Sequence, residues 1–229
     1  MKASVIVPVG NGERFIEAAL ESVFCQGDTF PGLELEVIVV DNGSTDSTVD
    51  LVRRRFGSSV ILGQEPRRGA AFARNRGIGL ATSPWLAFLD ADDLWLPGKL
   101  RDQCAAFAAR PELGMVFCQG EEFSDPPGTF PAVETARGFH YASALLVRRE
   151  VFDLVGLFPE FRCGEFIAWF GWAQTLGVAA HVVPQVLVRR RIHAANTTRG
   201  RQLLTDYAAA MQWLIARRRT HAAKENSGR

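Results

Sequence analysis

At 229 residues, 47% of them apolar and 22% charged, the chain can bury roughly 70% of the surface its unfolded form exposes, enough for one ordinary core. A net charge of only +1 leaves no basic footprint for nucleic acid. The four cysteines, Cys25, Cys104, Cys118 and Cys163, lack any Cys-x-x-Cys spacing, which argues against a zinc site or redox pair and fits buried free thiols in a reducing cytosol.

Residues 4–9 form a β-branched run closed by Gly10-Asn11-Gly12, the pattern of a buried strand followed by a loop. The run is too short for a signal peptide and far short of the ~20 residues of a membrane span, so a soluble, cytoplasmic chain is expected, with peripheral contact at the inner face of a membrane left open. Phe15, Ala18, Ala19, Leu20, Val23 and Phe24 recur at helical spacing until Gly27-Asp28 stops them. Residues 35–40 are continuously apolar, as in a parallel strand covered on both faces, and run into Asp41-Asn42-Gly43-Ser44-Thr45-Asp46. Ser44 or Thr45 is expected to cap the next helix, which turns Val49, Val52 and Phe56 inward. A third strand at 60–62, a loop over 63–68, a small-residue helix at 69–81 and a fourth strand at 85–89 follow. That last strand delivers its carboxyl end into Asp90-Ala91-Asp92-Asp93. Strand and helix alternating in this way predict a mostly parallel α/β sheet.

Beyond it, a helix at 100–109 ends at Arg110-Pro111, and a strand is predicted at 114–119. The proline-rich, polar stretch 120–138 reads as a loop over the site. A strand at 142–147, a helix at 149–155, a tryptophan-rich helix at 165–176 and one or two strands within 178–188 come next. A final helix at 203–219 gathers Leu203, Leu204, Tyr207, Met211, Leu214 and Ile215 on one side, and 220–229 reads as a disordered tail. Arg217, Arg218 and Arg219 close that helix, where cations suit the dipole; contact with anionic lipid is the alternative.

Ligands of a parallel α/β sheet collect beyond the carboxyl ends of its strands. Here two apolar strands each end in acid, one at Asp41 and one at Asp90, so several carboxylates share one crevice. Their mutual repulsion is costly unless a cation or hydrogen-bonding ligand relieves it. Hard carboxylate oxygens suit Mg²⁺ or Mn²⁺, held by one or two acids with substrate phosphates and water completing the shell. Asp90 and Asp92 follow the strand with alternate spacing that lets both face one ion; Asp93 is as readily a cap for a helix near Leu94.

Four segments in order carry a resemblance: residues 4–9, residues 39–46, residues 69–77 and Phe88-Leu89-Asp90-Ala91-Asp92-Asp93-Leu94-Trp95-Leu96-Pro97-Gly98-Lys99. Together they resemble the signature blocks of family 2 glycosyltransferases. The resemblance implies a single GT-A domain over 1–219, with a nucleotide-sugar half at 1–100, an acceptor half at 101–200 and a C-terminal helix. It also implies an inverting, metal-dependent transfer from a nucleoside-diphosphate sugar to a hydroxyl acceptor such as a glycan, lipid-linked sugar or small molecule. By the same resemblance Asp41 meets the nucleobase, Pro8 borders the base pocket, and Arg74 and Asn75 lie in a nucleotide-contacting block. Asp90 then sits near ribose and metal, and Asp92 binds the Mn²⁺ or Mg²⁺ that bridges the diphosphate. The family often has an aromatic residue two positions after the proline, able to stack on the base; this chain has Gly10.

The second half matches more loosely. Residues 144–159 resemble an acceptor-side segment preceding an acidic motif, represented here by Gly164-Glu165-Phe166, which leaves Glu165 as the implied general base. The stretch 189–199 resembles a late block ending in His-x-x-Asn, where the arginines and His193 stabilise the leaving group or His193 completes the metal shell. Trp169 and Trp172 line an acceptor groove or pack in the core. Two rival functions remain. A nucleotidyltransferase would need a Gly-rich basic loop, of which residues 10–14 are a faint echo; a non-catalytic nucleotide-sugar-binding module is suggested by Phe166 and Gly10.

Overall fold

The computed structural model describes residues 1–132, 137–138, 141–196 and 202–227. The apolar runs become the strands β1 (Lys2–Val9), β2 (Glu34–Asp41), β3 (Val60–Gln64) and β4 (Trp85–Phe88), all parallel in the order β3-β2-β1-β4. Helices α1 (Ile16–Phe24), the one-turn α2 (Gln26–Thr29), α3 (Thr48–Phe56) and α4 (Ala70–Leu80) connect them. Val5, Ile6, Val7, Ile38, Val39 and Val40 are at most 1% exposed, so both faces of these strands are covered, as their unbroken apolar character requires.

After β5 (Leu94–Trp95) and α5 (Lys99–Ala109), the sheet continues with β6 (Met115–Ser124), β7 (Arg137–Gly138), β8 (Leu146–Arg148) and β9 (Ala180–Ile192). Beyond β4 the order is β8-β6-β9-β5, with β8 antiparallel to both β4 and β6, and β5 antiparallel to β9. The whole is a mixed α/β domain with α6 (Arg149–Val155), α7 (Glu165–Thr175) and α8 (Gln202–Ser227) around the second half.

Three expectations change. Residues 120–124, expected in a loop, continue β6 because β9 runs beside them and neutralises them: Glu121 pairs with Arg189 at 2.8 Å and Glu122 with Arg190 at 2.7 Å. The one or two strands expected within 178–188 are the single β9, whose Pro184 falls where the register slips against β6, the place a strand tolerates a missing N–H. Residues 220–227, expected as a disordered tail, continue α8, since Ala222, Ala223 and Lys224 are good helix formers with no breaker among them. Only one strip of α8 meets α7. Ala210 and Leu214 are buried while Leu204, Met211 and Ile215 are exposed; the side chain of Leu203 lies outside the described residues.

Candidate active site

Parallel register aligns Val9 with Asp41 and Ile6 with Phe88, so the loops after β1, β2 and β4 open on one edge of the sheet. Asp41 is 7% exposed and its Oδ1 accepts the Ser44 N–H at 3.0 Å. Ser44 and Thr45 do not cap α3. They tie to the β1 loop, where Ser44 Oγ accepts the Asn11 N–H at 2.9 Å and Asn11 Oδ1 accepts the Thr45 N–H at 2.7 Å. The N-cap position is Ser47, with no side-chain cap of its own, and Asp46 just before it accepts the Thr48 N–H through Oδ1 at 3.1 Å. Pro8 lies half-buried at the end of β1, opposite Val40.

The acidic loop past β4 sends its three carboxylates to three different partners. Asp90 accepts from the buried Arg74 guanidinium of α4, whose other arm holds Glu165 at the start of α7. Burial alone would lower the Arg74 pKa, but the charges of Asp90 and Glu165 raise it above the ordinary guanidinium value. Asp92 Oδ2 meets His193 Nε2 at 2.9 Å and the Asn196 amide nitrogen at 3.2 Å. His193 Nδ1 accepts the Ala195 N–H at 3.3 Å, which assigns the proton to Nε2 and makes His193 the donor to Asp92. His193 thus positions Asp92 here, and would have to surrender that bond to ligate an ion. Asp93 caps no helix. It is 3% exposed and accepts from Ser143 Oγ at 2.9 Å and from the Arg191 N–H at 3.1 Å.

Among the described residues no three His, Cys, Asp or Glu side chains converge on one ligating point. The donor set instead fits an ion held by one or two carboxylates, with diphosphate oxygens and water completing the shell. The Asp93 carboxyl is pushed well above the usual carboxylate range, first by burial and then by the charges of Asp92 and Asp90.

Other expected residues take structural places. Both ends of the Asn75 amide bond the Phe158 backbone, donating to its carbonyl at 2.9 Å and accepting from its N–H at 3.0 Å, so Asn75 ties α4 to the segment before α7. Trp169 and Trp172 are 1% and 6% exposed and belong to the core, not to an open groove. Cys118 and Cys163 are buried as expected, but Cys25 is exposed. Residues 197–199 lie outside the described residues. Ser143 was not foreseen: its hydroxyl donates to Asp93 and accepts the Asp90 N–H at 3.1 Å, and its carbonyl accepts Trp95 Nε1–H at 2.8 Å. Nothing local marks it, since it reaches the acids from 50 residues away. Asn196, by contrast, stands in the His-x-x-Asn segment and was open to the same reading as His193.

Residues 4–164 match the model of Glycosyl transferase family 2. An uncharacterized glycosyltransferase of Nostoc sp. is 32% identical over 223 residues, covering 86% of this chain and 66% of that protein. A PGL/p-HBAD biosynthesis glycosyltransferase of Mycobacterium tuberculosis is 35% identical over 114 residues, covering 48% of this chain and 42% of that protein. The chain therefore spans between 42% and 66% of the length of these relatives. Among solved structures, S. aureus TarS 1-349 in complex with UDP-GlcNAc superposes with a TM-score of 0.75 at 21% identity, over 94% of this chain and 66% of that one, a likeness of fold. The mannosyltransferase PcManGT from Pyrobaculum calidifontis, in complex with GDP-Man and Mn²⁺, gives 0.71 at 25% identity over 92% of this chain and 64% of that one.

Proposed function

Because the chain belongs to glycosyl transferase family 2, we propose that it moves a sugar from a nucleoside-diphosphate sugar to a hydroxyl acceptor, using Mn²⁺ or Mg²⁺ and inverting the anomeric centre. The observation that carries this reading is the pair of pre-oriented carboxylates past β4, Asp90 fixed by Arg74 and Asp92 fixed by His193 and Asn196. They stand at the sheet edge where ligands of parallel α/β folds bind. The Mn²⁺ and GDP-Man bound by the similar Pyrobaculum protein support the choice of cofactor and donor class.

In this reading Asp41 and Pro8 take the base and Asp90 the ribose side, and Asp92 with Asp90 would hold the cation, which would supply positive charge to the diphosphate leaving group. His193 orients Asp92. Glu165 accepts the acceptor hydroxyl's proton as that oxygen bonds the anomeric carbon and the bond to the diphosphate breaks on the opposite face. Arg74 holds Glu165 beside Asp90, so the base and the donor site are set by one guanidinium. Among the described residues no helix is long and apolar enough to cross a membrane.

Asp92→Asn is expected to abolish metal-dependent nucleotide binding. Glu165→Gln should leave that binding nearly intact while cutting turnover by about 10²–10⁴-fold. Isothermal titration of nucleoside diphosphates with Mn²⁺, beside a diphosphate-release assay, separates the two. A second reading, a nucleotide-sugar-binding module without turnover, is favoured by the engagement of Glu165 with Arg74 and by Phe166 in place of a second acid. Metal-dependent binding with no release on any acceptor, and none lost in Glu165→Gln, would establish it instead.

A further inference from the structure

Gly10 stands where the family resemblance implies an aromatic residue able to stack on the base. A side chain at position 10 has room, because its Cβ would lie 3.6 Å from the Asn42 carbonyl oxygen, an ordinary contact. A planar group on the Gly43 side comes from the loop after β3. Asn42, next to Asp41, clamps that loop at three points: its amide nitrogen donates to the Glu65 and Arg67 carbonyls at 2.8 and 2.7 Å, and its Oδ1 accepts the Gly69 N–H at 2.7 Å. Arg67 is folded back onto Glu65, donating to it through Nε at 3.0 Å and through a second guanidinium nitrogen at 3.0 Å. Arg68, the residue between the clamped positions, is turned the other way. It is exposed, lies against Gly43 with Nε 3.8 Å from where a Cβ would stand, and makes one long contact, 3.4 Å, to the Gly43 carbonyl.

Resting on the donor reading above, we propose that Arg68 stacks its guanidinium plane on the nucleobase and so replaces the aromatic residue missing at Gly10. The clamp gives the backbone of residue 68 one position beside Asp41 and Gly43 before any ligand arrives, which lowers the ordering cost of the stack. A guanidinium is planar and weakly hydrated, so it stacks on π-faces as an ammonium does not. Every base offers such a face, so the contact supports affinity for the nucleoside and leaves the choice of base to the hydrogen-bonding groups around Asp41.

The test is titration of UDP, GDP, ADP and dTDP with Mn²⁺ into the unaltered chain and into Arg68 variants, with Mn²⁺-pyrophosphate as a ligand lacking the base. Arg68→Ala is expected to weaken the nucleotide that binds by about tenfold or more and to leave pyrophosphate within about twofold. Arg68→Lys, which keeps the charge and loses the plane, should weaken it as much as alanine does. Adding Gly10→Tyr to Arg68→Ala should restore affinity. Unchanged nucleotide binding in Arg68→Ala, full affinity in Arg68→Lys, or an equal loss for pyrophosphate would each overturn the stacking role. Absence of Mn²⁺-dependent binding of any nucleotide by the unaltered chain would overturn the donor reading itself, a result distinct from binding that is indifferent to Arg68.

Discussion

Arg74 and Lys99 are both buried cations, 4% and 0% exposed, and the fold treats them differently. Two carboxylates compensate Arg74. Lys99 donates to Gln103 Oε1 at 2.9 Å and lies 4.1 Å over the Trp95 ring, both neutral partners, and burial pushes its pKa down to about 8. Below that value the folded and unfolded chains both carry the proton, and the folded state bears the full cost of burying the charge. Between about 8 and the ordinary 10.5 the unfolded chain binds more protons than the folded one, so stability rises with pH there. Relative to Lys99→Met, the unaltered chain should gain about 1–2 kcal/mol from about pH 7.5 to about pH 9.5. Urea denaturation of both proteins at the two pH values checks it. Parallel pH dependences would mean that Lys99 titrates as if exposed.

At the scale of elements, α4 carries Arg74 to the acids because Gly77, one turn on, lets the helix lie directly on β1. A Cβ at Gly77 would stand 2.3 Å from Ile6 Cγ2, closer than any real contact. Gly77→Ala should therefore cost about 1–3 kcal/mol. It should also weaken nucleotide binding by lifting Arg74 away from Asp90. Ile6→Ala, which opens the space, should recover part of both losses, so the double mutant would be less impaired than the sum of the singles. Additive effects on stability and affinity would show that the helix seat does not set the site. The Gly77 seat was not legible in the sequence, but the strand ends were. Unbroken apolar runs ending in acid or turn residues place Asp41, Asp90 and Asp92 at one sheet edge without any tertiary information. What stayed hidden depends on approach through space. The Arg74–Glu165 pair joins residues 91 apart, and the polar end of β6 looks like loop until β9 brings its arginines alongside.

At the scale of the whole molecule, α8 lies far from Asp41 and Asp92 in sequence but stands behind the helix that carries Glu165. Gly164, at φ +85°, precedes Glu165, and a Cβ there would meet Ala210 at 2.9 Å and Tyr207 at 3.1 Å. At Gly171 a Cβ would meet Leu214 at 2.5 Å. Arg218 adds a bond to the Gly171 carbonyl at 3.0 Å and Arg162 pairs with Asp206 at 3.1 Å, so α8 fixes α7 along most of its length. The nucleotide edge has its own anchors in β1, β2 and β4. Leu214→Ala, at a site 3% exposed, should cost about 2–4 kcal/mol by leaving a cavity against Gly171. Because α7 then loosens under Glu165 and not under Asp92, turnover at a temperature well below unfolding should fall several-fold while nucleoside-diphosphate affinity changes by less than about threefold. Diphosphate-release kinetics and calorimetric Kd on the same preparation make the comparison. Equal losses in both would show that α8 stabilises the domain as one unit; a lowered Tm with unchanged turnover would free α8 from any part in aiming Glu165.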